Sequence, residues 1–259
     1  MQLLLMLAVA GLLFGWSLGG QGFSCGRVLA LLIPVLGFVF MNMLEVAVMR
    51  RRAWVGMYLQ PRTALAKFLC GKTLLLLWQL LKATLLAFML LVESATWSGW
   101  LWWVLMADVV LLYGLSRRYS LFSNQIKQKY RGVVGRQILV VANTLLLLVV
   151  LSLGQLFVAR PDYGNLTWQQ TAMYAARQVD QECEIVSPLI RIRAIQQAWT
   201  EKAVHRGLDS LDSRWTQIMG WLLFFFWSGL SMWAWSRMLL GASMQKTDVE
   251  NLMRTGCEH

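Results

Sequence analysis

Residues 73–92 read TLLLLWQLLKATLLAFMLLV. This stretch decides the fold. It carries one charge, Lys82, and it reaches the roughly 20 residues that a helix rising about 1.5 Å per residue needs to cross a hydrocarbon core. Polar and apolar residues do not alternate along it, so a half-buried strand is excluded. Lipid offers the backbone no hydrogen-bond partner, and a single segment satisfies its own amides only as a helix.

Five further runs have the same character: about Leu3–Leu18, Val28–Met49, Trp97–Leu115, Ile138–Val158 and Ile218–Leu240. The whole chain is 58% hydrophobic and 14% charged, against about 25% charged residues in an ordinary soluble domain. The expected fold is all-α: a polytopic transmembrane helical bundle of about six spans with a small extracytoplasmic helical segment. The first run is read as a retained span, not a cleaved signal, because no basic residue precedes Leu3.

The charges give the bundle a direction. Residues 50–72 hold Arg50, Arg51, Arg52, Arg62, Lys67 and Lys72, and residues 117–136 hold Arg117, Arg118, Lys127, Lys129, Arg131 and Arg136; neither loop contains an acid. Segment 159–217 balances seven basic residues with seven acidic ones. The positive-inside rule puts the two basic loops in the cytoplasm and the neutral segment outside. It also accounts for the net charge of +11 without nucleic acid, which is not an expected partner. The expected location is a bacterial-type inner membrane with both termini cytoplasmic. Residues 1–158 form five spans, 159–217 an outer cap, 218–240 the sixth span and 241–259 a cytoplasmic tail. Arg50, Arg51, Arg52, Arg117, Arg118, Lys127, Lys129 and Arg131 are candidate contacts for lipid headgroups. Phe122, Ile126, Tyr130 and Val134 give the second loop an apolar stripe, suited to the membrane surface or to an extension of the flanking spans.

Within the cap, Thr167 and Gln170 have the spacing of a capping box, and Ser187-Pro188 has the form of a second helix start. In that second helix Ile192, Ile195, Trp199 and Ala203 form an apolar stripe, with Arg191, Arg193, Lys202 and Arg206 elsewhere around it. The preceding helix, a partner or the membrane surface must cover the stripe. Fifty-nine residues rarely support a core alone, so the cap is expected to dock on the bundle.

Polar residues inside apolar runs are the candidate site: Lys82, Asp108, Gln79, Glu45, Asn42 and Asn143. Lys82 and Asp108 lie equally far from the turn near residue 95, so an antiparallel hairpin would set them at one depth. A charge at mid-bilayer costs about 3 kcal/mol on insertion scales, and pairing relieves it. Such a pair is either a proton or ion relay, or a device fixing how two helices dock. Glu45, five residues before Arg50, is expected to pair with the Arg50–Arg52 cluster. Cys25 and Cys183 both fall outside under this topology, where a disulfide is permitted.

Metal, haem and cofactor chemistry have no motif here. The two histidines, His205 and His259, lie outside the runs, and no nucleotide-binding or zinc motif occurs. No cofactor is expected. Three function classes remain. The first is a non-enzymatic subunit of an envelope-spanning secretion or conjugation assembly, with membrane-protein partners or copies of itself. The second is a small channel or transporter using Lys82 and Asp108. The third, with Glu45 as its only nucleus, is a lipid-acting enzyme.

Overall fold

The computed structural model describes residues 2–19, 25–58, 72–118, 131–157, 166–177, 183–184, 186–205 and 214–244. They form eight helices: α1 (Gln2–Gly19), α2 (Cys25–Tyr58), α3 (Lys72–Ser94), α4 (Gly99–Arg118), α5 (Arg131–Phe157), α6 (Trp168–Arg177), α7 (Ser187–His205) and α8 (Arg214–Ala242). No strand occurs among the described residues.

Four helices are long and apolar enough to cross a membrane: Cys25–Arg51, Thr73–Ser94, Gly99–Arg118 and Gly132–Gly154. That makes the fold consistent with a helical membrane protein. The apolar part of α1, Gln2–Leu18, is shorter. The second half of α8 carries Ser228, Ser231, Ser236 and Arg237, all buried. A helix surrounded by other helices faces protein instead of lipid, so it can hold polar groups that find partners there.

α8 is the axis of the bundle. It packs on α2, α5, α3 and α1, while α2 also packs on α3, and α4 packs on α1 and α5. Met232, Trp235, Met238 and Leu239 of α8 are fully buried in one core with Leu13 of α1 and Leu90 of α3. The closest approach is at Gly241, where a Cβ would overlap the backbone carbonyl of Phe38 on α2. Small residues at such crossings are what lets helix backbones meet in a membrane.

The helix ends sort into two layers. At one end Gln2 donates to the Ser243 carbonyl (2.8 Å), joining the start of α1 to the end of α8. At the other, the Trp16 indole donates to the Leu91 carbonyl (3.0 Å), joining the ends of α1 and α3. α6 and α7 pack on each other, and α7 packs on α3. The α6 start has the reciprocal capping bonds its sequence implies. Thr167 N–H donates to Gln170 Oε1 (2.8 Å), and Gln170 N–H donates to Thr167 Oγ1 (3.2 Å).

On α7, Ile192 and Trp199 of the apolar stripe are exposed, and the covered face carries Val186, Ile190, Arg193 and Ala198. Arg193 is buried because it meets an acid on α3. Trp199 still lies against α6, donating to the Trp168 carbonyl (3.1 Å). The side chain of Ala203 is outside the described residues. In the second basic loop α5 already begins at Arg131, so Val134 belongs to that helix; Phe122, Ile126 and Tyr130 are outside the described residues.

Candidate functional site

Three polar layers cross the bundle, each built from side chains that different helices bring together. Glu93 closes α3 and is 2% exposed, with Arg193 of α7 at 5%. The Arg193 guanidinium pairs with Glu93 Oε1, and the Trp227 indole of α8 donates to Glu93 Oε2 at 2.8 Å. At the same end the Cys25–Cys183 disulfide joins the first residue of α2 to the segment before α7, with 4.8 Å between the Cα atoms. The α6–α7 unit is thus fastened to the bundle by one covalent bond and one buried ion pair.

The middle layer centres on Asp108 of α4. Its Oδ2 accepts from the Trp235 indole (2.9 Å) and from the Asn143 amide (3.2 Å), and Asn143 also donates to Ser236 Oγ (3.0 Å). Asp108 Oδ1 is buried and has no hydrogen-bond partner. Trp97, Trp102 and Trp235 meet edge to face above it, with centroids 5.2–6.3 Å apart. Edge-to-face packing sets the positive rim of one ring on the negative face of the next, so this cluster holds the Trp235 N–H in position.

The third layer joins α2, α5 and α8 near the Gln2–Ser243 end. Glu45 pairs with Arg136, whose Nε donates to Oε2 at 3.0 Å. Arg237 donates to Asn42 Oδ1 (2.9 Å) and Gln137 Oε1 (3.1 Å), and it lies over the Trp233 ring at 4.4 Å from its centroid. Amides and a ring face therefore surround this buried cation, which suits a planar guanidinium better than a point charge.

One expectation is corrected here. Lys82 and Asp108 do not meet: the Lys82 ammonium lies 4.8 Å from the Trp78 ring centroid, on its own helix. α3 packs on α2 and α8 while α4 packs on α1 and α5. Chain neighbours that turn tightly into each other need not pack along their lengths, so equal depth did not bring the two side chains together. Glu45, 3% exposed, pairs across to Arg136 of α5.

Gln79 is buried on α3. Of the candidate headgroup contacts, Arg50, Arg117 and Arg118 are exposed and Arg51 is half-buried, with Arg117 over the Tyr113 ring at 5.0 Å. Lys127, Lys129 and the side chains of Arg52 and Arg131 lie outside the described residues, as do His205's side chain, His259, Cys70 and Cys257. The sequence reading missed Glu93, Arg193 and Arg237 as site residues. Arg237 had a visible signal, a charge inside an apolar run. Glu93 was hidden in a turn, and Arg193 among other basic residues.

No family model, curated protein or solved structure matches the chain.

Proposed function

We propose that the chain is a non-enzymatic integral membrane subunit of an envelope-spanning assembly of the secretion or conjugation type, acting through protein–protein contacts. One observation carries this reading. The acids of the apolar helices, Glu45, Glu93 and Asp108, are all buried and bonded to groups on other helices. Charges used in this way fix helices to one another and hold the α6–α7 unit in place, as a scaffold requires. The channel or transporter reading relied on Lys82 meeting Asp108, and they lie apart.

In this proposal α1 and α8 join the four apolar helices as spans, giving six, with both termini on the cytoplasmic side of a bacterial-type inner membrane. A disulfide favours an oxidising compartment for the α6–α7 unit, and the basic loops favour the opposite side. The two arguments are independent and agree. Purification from native membranes in a mild detergent, with the mass measured by light scattering, tests the subunit role. A complex larger than this chain, containing other polypeptides in fixed ratio, is expected; a chain that elutes alone overturns the reading.

A further inference from the structure

Lys82 is a charge well inside an apolar stretch, and its ammonium lies against an aromatic ring and not an acid. It lies nine residues after Thr73 and twelve before Ser94 in the apolar stretch, about 14 and 18 Å from its ends at the helical rise. The neighbouring face is open: Leu74, Leu77, Trp78, Leu81 and Leu85 are all more than half exposed. They recur at three- and four-residue spacing, so they form one side of α3. The Lys82 ammonium reaches one turn back to Trp78, 4.8 Å from the ring centroid. That leaves about 8 Å of helix between it and the Thr73 end. An aromatic face is a weak counter-charge, and a cation held at this depth against lipid is costly.

We propose that this face of α3 is the docking surface for a different membrane polypeptide, whose transmembrane helix carries an aspartate or glutamate at the depth of Lys82. The proposal rests on the subunit reading and names the chemistry of the partner. Charge complementarity selects an acid. Depth selects a transmembrane helix over a lipid phosphate, which the ammonium does not reach along its own helix. A second copy of this chain is excluded as the acid's source. The acids of its apolar helices, Glu45, Glu93 and Asp108, are 3%, 2% and 3% exposed, each enclosed within its own bundle. The flanking leucines and Trp78 supply the apolar contact on which a single ion pair between helices depends.

Site-specific photo-crosslinking in intact cells tests this, with benzoylphenylalanine at Leu81 on the open face and at buried Ala83 as the control. The Leu81 probe is expected to give one adduct of reproducible size and the Ala83 probe none. Peptide mapping should place the adduct on a transmembrane helix that contains an acid. Lys82→Leu and Lys82→Asp should each reduce the adduct at least tenfold, with the Cys25–Cys183 disulfide still formed as the sign of correct folding. Changing the partner's acid to lysine should restore it with Lys82→Asp. An adduct that survives both substitutions, that forms only with phospholipid, that joins two copies of this chain, or that maps to a helix lacking an acid overturns the proposal. A complex in mild detergent that persists in Lys82→Leu overturns this proposal alone, whereas a wild-type chain that purifies alone overturns the subunit reading with it.

Discussion

Removing one member of the Glu93–Arg193 pair should cost far more than removing both. Glu93 is 2% exposed and Arg193 5%. After Arg193→Met the carboxylate stays buried with one neutral donor, the Trp227 indole at 2.8 Å. After Glu93→Gln the guanidinium stays buried, and its Nε already has no partner. Stranding one charge of a buried pair costs about 3–5 kcal/mol. The pair sits at the edge of the bundle, so the α6–α7 unit can lift and let water reach the stranded group. That escape sets the expected loss near the lower end, about 3 kcal/mol for each single variant. The double variant Glu93→Gln with Arg193→Met strands no charge: the glutamine oxygen can still accept from Trp227, and only its neutral amide N–H is left beside methionine. It should lose about 1–2 kcal/mol, far less than the two single losses added. Equilibrium unfolding in mixed maltoside and dodecyl sulfate micelles, followed by tryptophan fluorescence, gives all four corners of the cycle. A double variant as unstable as the sum of the two single ones would refute the reasoning, since the two groups would then act independently.

Three further outcomes follow from the other contacts. Asp108→Asn should unfold closer to wild type, because its oxygen can still accept from Trp235 and Asn143; Asp108→Leu strands the Trp235 N–H, while Asn143 keeps Ser236, and should lose about 1–3 kcal/mol. Equal losses for the two variants would count against the hydrogen-bonded layer. Gly241→Ala sets a Cβ against the Phe38 backbone, which cannot swing away, and should cost about 1–3 kcal/mol; Gly154→Ala meets only the far edge of the Trp100 ring and should cost less, so the reverse order in the same assay sinks the packing account. Replacing Cys25 and Cys183 with serine opens a link between residues 158 apart. A free chain would lose about 5 kcal/mol from that, but inserted spans already restrict the unfolded state, so about 2–4 kcal/mol is expected, and a melting midpoint unchanged by reductant would contradict it.

The helices were legible because apolar length leaves the backbone no alternative within lipid. All six runs correspond to helices, and the capping box at Thr167 marked the start of α6 within a residue. α8 was legible as an apolar run, but not as the helix that lies among the others and keeps Ser228, Ser231, Ser236 and Arg237 buried. The polar layers were legible as a list of residues but not as partners. Depth along a helix can be counted from the sequence; rotation about its axis and the choice of neighbour cannot. Lys82 and Asp108 illustrate the loss directly: equidistant from their turn in the sequence, they sit on helices that do not pack along each other, the Lys82 ammonium over Trp78 and Asp108 on Trp235 and Asn143. Arg193 illustrates the same limit: its burial against Glu93 depends on a contact 100 residues away in the chain.

In the proposed topology the chain has six spans and its α6–α7 unit lies outside the cytoplasm. Single cysteines at Gly99, Arg118 and Gln169, all exposed, test this with a membrane-impermeant maleimide. Cys70 and Cys257 are replaced by serine for the purpose, and the Cys25–Cys183 disulfide is left intact. In spheroplasts Gly99→Cys and Gln169→Cys should label at once, and Arg118→Cys only after lysis. Labelling of Arg118→Cys in intact spheroplasts with protection of Gln169→Cys would invert the topology, and labelling of Gly99→Cys and Gln169→Cys on opposite sides would contradict the docking of the cap on the bundle.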